Sequence, residues 1–134
     1  EFDAPLPPRG LRRNSETRVI GWRAKLKAQY QEDVWCAGYV AMSGDQFGGL
    51  GAFQQPWERA VLRLTWKHAG VAPDADNALA SLKPLIDVLH ARSNRLLAII
   101  VDDSPTHLKI EPVELVKVPR RADEGVTVRI ERLT

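Results

Sequence analysis

Cysteine is nearly absent. Cys36 stands alone among 134 residues, which excludes an intramolecular disulfide framework and a cysteine-built zinc site. Long apolar runs are missing too. The longest, Leu96-Leu97-Ala98-Ile99-Ile100-Val101, is six residues, against the ~20 a helix needs to span a bilayer. No membrane partner is therefore expected. Glu1-Phe2-Asp3 is acidic, and Pro5, Pro7 and Pro8 interrupt the next stretch of chain, unlike a secretory leader; a reduced, cytoplasmic setting is the expectation. One-sided charge is scarce as well: the net charge is +2, too small by itself to argue for nucleic acid. The glycines of residues 43–56 match neither G-x-G-x-x-G nor G-x-x-x-x-G-K, which argues against a phosphate cradle and for a surface connection.

What remains suits one ordinary domain. Hydrophobic residues make up 44% and charged residues 27%, enough for a single core under a soluble surface. The cations are unevenly placed. Residues 1–30 hold seven basic residues (Arg9, Arg12, Arg13, Arg18, Arg23, Lys25, Lys27) against Glu1, Asp3 and Glu16, a net +4. A phosphate-contact surface and a solvated arm both fit that distribution.

Residues 1–17 read as an extended proline-rich arm, and 18–134 as one domain. From Arg18 to Ala41, Trp22, Leu26, Tyr30, Val34, Ala37 and Ala41 recur every three or four positions, predicting an amphipathic helix buried along that stripe. Trp35 and Tyr39 lie off it, as a second buried side against a partner chain would require. Cys36 reads as an inert small hydrophobe within the helix. Leu62, Leu64 and Trp66 alternate with Arg63, Thr65 and Lys67, a strand with one apolar face. A helix is predicted over 77–91, its core stripe Leu79, Leu82, Leu85, Ile86 and Leu89 and its regularity broken by Pro84. A short buried strand over 97–101 and strands over 107–118 and 126–132 come next. The expected fold is α+β, a mixed or antiparallel sheet with two main helices packed on it.

Two acidic clusters punctuate these elements. Asp74-Ala75-Asp76-Asn77 precedes the second helix, and Asp102-Asp103 comes directly after the buried run ending at Val101. Each alone reads as an N-cap or a turn. Brought together, three carboxylates repel unless a cation neutralises them, and oxygen ligands select Mg²⁺ or Mn²⁺. Such a centre suits phosphodiester hydrolysis, because the ion acidifies water and stabilises charge on the transition state.

The stretch D-A-D-N-A-L-A-S-L-K-P-L-I-D-V-L, with V-D-D-S-P after a gap, resembles the RusA-type Holliday junction resolvases, small bacterial and phage endonucleases that cut four-way DNA junctions. The likeness runs from about Pro56 to the C-terminus, and more weakly to Pro5-Leu6-Pro7-Pro8 and Asn14. It implies a Mg²⁺-dependent endodeoxyribonuclease of DNA recombination and repair, a homodimer making paired nicks in branched DNA. It further implies that Asp74, Asp76 and Asp103 are metal ligands and catalytic residues, and that Lys83, aligned through Asp87 and Leu89, acts on the phosphate. Arg12, Arg13, Asn14 and Lys67 join Lys83 as expected DNA contacts.

Two features depart from the family pattern. Lys67-His68-Ala69-Gly70-Val71-Ala72-Pro73 stands where many members carry a basic run, and Ala80 stands where some carry the lysine. A non-catalytic branched-DNA-binding protein keeping the fold is the alternative. His68 and His107 flank the clusters, where an imidazole can assist a metal or a phosphate, but His68 has no spaced ligand partner and His107 reads as facing solvent at a strand start. His90 reads as a cation at a helix C-terminus or a solvent-facing residue.

Overall fold

The computed structural model describes residues 1–12, 20–42, 56–90, 97 and 99–133. The glycine-rich stretch 43–55, together with Arg13 and Asn14, lies outside them.

Strand β2 (Ala60–His68) is central, and the alternation in its sequence explains why. Leu62, Leu64 and Trp66 are buried on one face while Arg63 points outward. The rest of the sheet assembles on both its edges. On one side β5 (Gly125–Arg132) pairs antiparallel, Leu62 opposite Ile130 and Trp66 opposite Val126, and β1 (Phe2–Ala4) adds antiparallel outside it. On the other side β3 (Leu108–Ile110) and β4 (Glu114–Lys117) pair parallel with successive parts of β2. The protein is thus α+β, with a mixed five-stranded sheet and three α-helices among the described residues.

The strand expected over 107–118 is two strands. Pro112 lacks the amide hydrogen a ladder needs, and the chain breaks between Ile110 and Glu114, where the Glu111 amide still reaches the Leu62 carbonyl at 3.0 Å. The segment before Asp102 makes isolated parallel bridges, Ile100 with both Trp57 and His90, rather than a continuous strand.

Helix α1 spans Ile20–Met42. Tyr30 and Val34 are buried as the stripe predicts, but Trp22 is 57% exposed. Positions four apart drift about 40° per step around a helix of 3.6 residues per turn, so Trp22 stands about 120° from Val34. Cys36 is exposed, not a core residue. Trp35 and Tyr39 stack on each other with ring centroids 4.9 Å apart.

The second helix is two. α2 (Ala75–Ser81) and α3 (Lys83–Leu89) meet at Leu82, whose φ of −91° and ψ of 1° leave the helical region. The Leu82 amide still donates to Ala78 O, and the Ile86 amide to Leu82 O at 3.0 Å, so the pair runs as one broken rod. Pro84 falls in the first turn of α3, where its missing amide costs no intrahelical bond.

The proline-rich segment is extended at Phe2–Ala4 but does not hang free as an arm. The Tyr30 hydroxyl donates to Pro5 O at 2.9 Å, Arg23 donates to Gly10 O and Leu11 O, and Ala4 and Leu11 are buried. Asp3 accepts from Thr127 Oγ1 at 2.7 Å and pairs with Lys67 at 3.4 Å. No helix among the described residues is long and apolar enough to cross a membrane.

Candidate functional site

The site grows from the way α3 is tied to the segment before Asp102. The Leu97 amide donates to Val88 O, and the Ile99 and Ile100 amides donate to Leu89 O. Those bonds, with the His90–Ile100 bridge, set the C-terminal end of α3 beside the turn carrying Asp102 and Asp103. The outward face of α3 bears Lys83 and Asp87, four apart, and His90 follows at its C-cap, three residues on.

Lys83 joins the two elements. Its Nζ donates to Asp103 Oδ2 and pairs with Asp87 Oδ1 at 3.1 Å. His90 Nε2 lies 3.9 Å from Asp87 Oδ1. Potential ligand atoms of Asp87, His90 and Asp103 lie within 4.8 Å of one another. All three residues are half-buried. The hydrogen bond from Lys83 holds the Asp103 carboxyl below its ordinary value, against partial burial, with the charges of Lys83 and His90 adding to it. Burial works against the Lys83 ammonium, but hydrogen bonds to Asp103 and Asp87 outweigh it and raise its pKa. The group is therefore a carboxylate pair bridged, and half neutralised, by one internal ammonium.

Asp74 and Asp76 stand outside this group. Both are exposed at the start of α2. Asp74 occupies the N-cap position, yet its side chain makes no capping bond and, among the described residues, accepts a 3.4 Å contact from Asn77 alone. The expected three-aspartate centre is not assembled here, and helix length explains it. Eleven residues separate Asp76 from Asp87, about 16 Å of helix rise, and it is the far end of the rod that meets Asp103. Asp76 nevertheless precedes by one turn Ala80, which lines a cleft of about 390 Å³ with Lys83 and Asp87. Asp102 accepts from the Asp103 amide at 2.9 Å, a bond within the turn.

The expected DNA contacts are placed differently. Arg12 is half-buried; its Nε donates to Pro7 O at 3.1 Å and its guanidinium lies 5.5 Å from the Trp66 ring centre, a cation–π contact that makes it part of the fold. Lys67 is committed to Asp3. Lys83, by contrast, lines a cleft. His68 and His107 each set Nδ1 against a backbone carbonyl, Gly70 O at 2.8 Å and Glu58 O at 2.7 Å, so neither ring is loose in solvent. His90, read from sequence as a terminal cation, belongs to the central group, as does Asp87. The spacing Lys83, Asp87, His90 puts all three on one helix face, and that was the available signal.

Two carboxylates and one imidazole suit Mn²⁺ as well as Mg²⁺, and the group by itself singles out no ion. Comparison of the chain with family models, with curated proteins and with solved structures finds no match.

Proposed function

We propose that the protein is a divalent-metal-dependent, structure-selective endodeoxyribonuclease of the RusA type, resolving four-way junctions by paired nicks as a homodimer in recombination and repair. One observation carries the reading: a helix lysine and the second aspartate of the Asp102-Asp103 pair, 20 residues apart, meet in a direct ion pair. Those are two of the positions the resemblance assigns to phosphate and metal.

Asp103 would hold the ion with Asp87 and His90, its neighbours within 4.8 Å. The ion would supply acidity to a water molecule and stabilise charge on the phosphate. Lys83 then has a role of its own. Released from the carboxylates, its Nζ remains on their side of the cleft, where an ammonium opposes negative charge on a phosphate oxygen. The resemblance instead groups Asp74 and Asp76 with Asp103, which requires α2 to approach the turn.

The test is cleavage of a synthetic four-way junction with Mg²⁺, with Mn²⁺ and with EDTA. Cleavage is expected with either ion and none with EDTA; inactivity with both ions on every branched substrate overturns the reading. Asp103→Asn should abolish cutting while junction binding persists, since shape is kept and the ligand charge is lost. Comparing Asp87→Asn with Asp76→Asn then decides between the two ligand sets. The specific observation favouring a non-catalytic junction-binding protein is the position of Asp74 and Asp76 outside the group; wild-type binding with no cleavage under either ion would select it.

A further inference from the structure

Two clefts share the Lys83–Asp103 pair. Lys83 and Asp87 line one, of about 390 Å³, together with Arg23 and Lys27 of α1. Asp103 lines the other, of about 470 Å³, with Arg59, His107 and Lys109. At the junction Lys83 offsets one of the two carboxylates of Asp87 and Asp103 and leaves one negative charge, so the positive excess on each side comes from the outer residues: Arg23 and Lys27 in one cleft, Arg59 and Lys109 in the other.

Among the described residues no carboxylate closely neutralises these four cations. Neither Lys27 nor the Arg59 guanidinium has an acceptor among the described residues. Lys109 lies 3.8 Å from Glu111 in an exposed pair, an interaction worth little in water. Arg23 is held by the Gly10 and Leu11 carbonyls, which fix its guanidinium in place without neutralising it. Positive charge held in concave walls focuses potential on an anion. The wall of the second cleft adds Leu108, Ile110 and Leu133, apolar surface that a lone phosphate would leave uncovered and that a sugar covers.

We propose that the two clefts form one track for the sugar-phosphate backbone of a nucleic-acid strand, Arg23 and Lys27 contacting phosphate on one side of the Lys83–Asp103 pair and Arg59 and Lys109 on the other. The track rests on the nuclease reading for its substrate, and it places the backbone across the proposed reaction centre.

The experiment measures junction binding by the full chain in EDTA across a salt series, so cleavage plays no part. Each phosphate deprived of its cation lowers the slope of log K against log salt by roughly 0.9. Lys27→Gln and Lys109→Gln should each lower it by about that much, and the double variant by about twice as much. Lys117→Gln, outside both clefts, should leave it unchanged. Both side chains are exposed, and unchanged melting temperatures certify folding. Wild-type slopes in both variants, or an equal fall in Lys117→Gln, overturn the track; if wild-type protein still cuts junctions, the nuclease reading survives that result. Absence of wild-type binding sinks both. Inorganic phosphate that abolishes strand binding at constant ionic strength while leaving the variants indistinguishable from wild type would reduce the clefts to simple anion sites and overturn the proposal.

Discussion

At the scale of single residues, Lys83 decides the character of the centre. Its ammonium is 57% exposed while the Asp103 carboxylate is 22% exposed, so solvent screens the pair and its contribution to stability is about 1 kcal/mol or less. The signs of the two shifts set where that contribution holds. Asp103 has a folded pKa below its ordinary 3.8, so its share is present above that value and is lost as pH falls through the lower, folded one. Lys83 has a folded pKa above 10.5, so its share is present below that value and is lost as pH rises through the higher one. The pair is thus intact from about pH 4 to pH 10. Lys83→Met leaves Asp87 and Asp103 facing each other without their cation. The Asp103 titration midpoint should then rise to or above its ordinary value, read by carboxyl ¹³C shifts in NMR. An unmoved midpoint would mean that the ammonium does not hold Asp103 in solution.

At the scale of elements, the packing of α1 against β1 and the Leu97 segment turns on Gly38. A Cβ there would collide with Leu97 Cδ1 and come within 3.3 Å of the Phe2 ring. The helix backbone tolerates alanine at this position better than glycine, so any loss must come from crowding. Gly38→Ala should cost about 1–3 kcal/mol, read by urea denaturation, whereas Gly21→Ala, with none of the described residues near its Cβ, should stabilise by up to about 1 kcal/mol. The same scale shows what was legible in the sequence. The two-residue period of Leu62, Leu64 and Trp66 marks β2 because a strand buried on one face writes that period directly. Pro84 marks the broken rod because proline acts locally. The pairing of β3 and β4 on one edge of β2, and of Phe2–Ala4 with β5, left no local mark, since those contacts join residues 48 to 126 positions apart. The site divides in the same way. Lys83, Asp87 and His90 share a face that spacing reveals, but the return of Asp103 to the end of α3 rather than to its α2 beginning depends on the Leu97–Ile100 backbone bonds, which apolar side chains do not announce.

At the scale of the molecule, the outer face of α1 bears on assembly. Trp22 is 57% and Val40 72% exposed, and exposed Cys36 lies between them; all three point to one side of the helix. The same side carries Lys25 toward the N-terminus and Glu32 and Asp33 in its second half. A second copy laid antiparallel about Gln29 sets Trp22 against Cys36, with Val40 a turn away, and Lys25 against Asp33, so the face is complementary to itself in both apolar surface and charge. A two-fold pairing of this kind would give the proposed homodimer two copies of the Lys83–Asp103 centre, as paired nicks require. Light scattering should therefore find wild-type protein at twice the 15.0 kDa chain mass. Val40→Glu, which buries an unpaired carboxylate in that interface, should move it to the single-chain mass with an unchanged melting curve at low concentration. A wild-type monomer would remove the homodimer, and a Val40→Glu dimer would move its interface off this face.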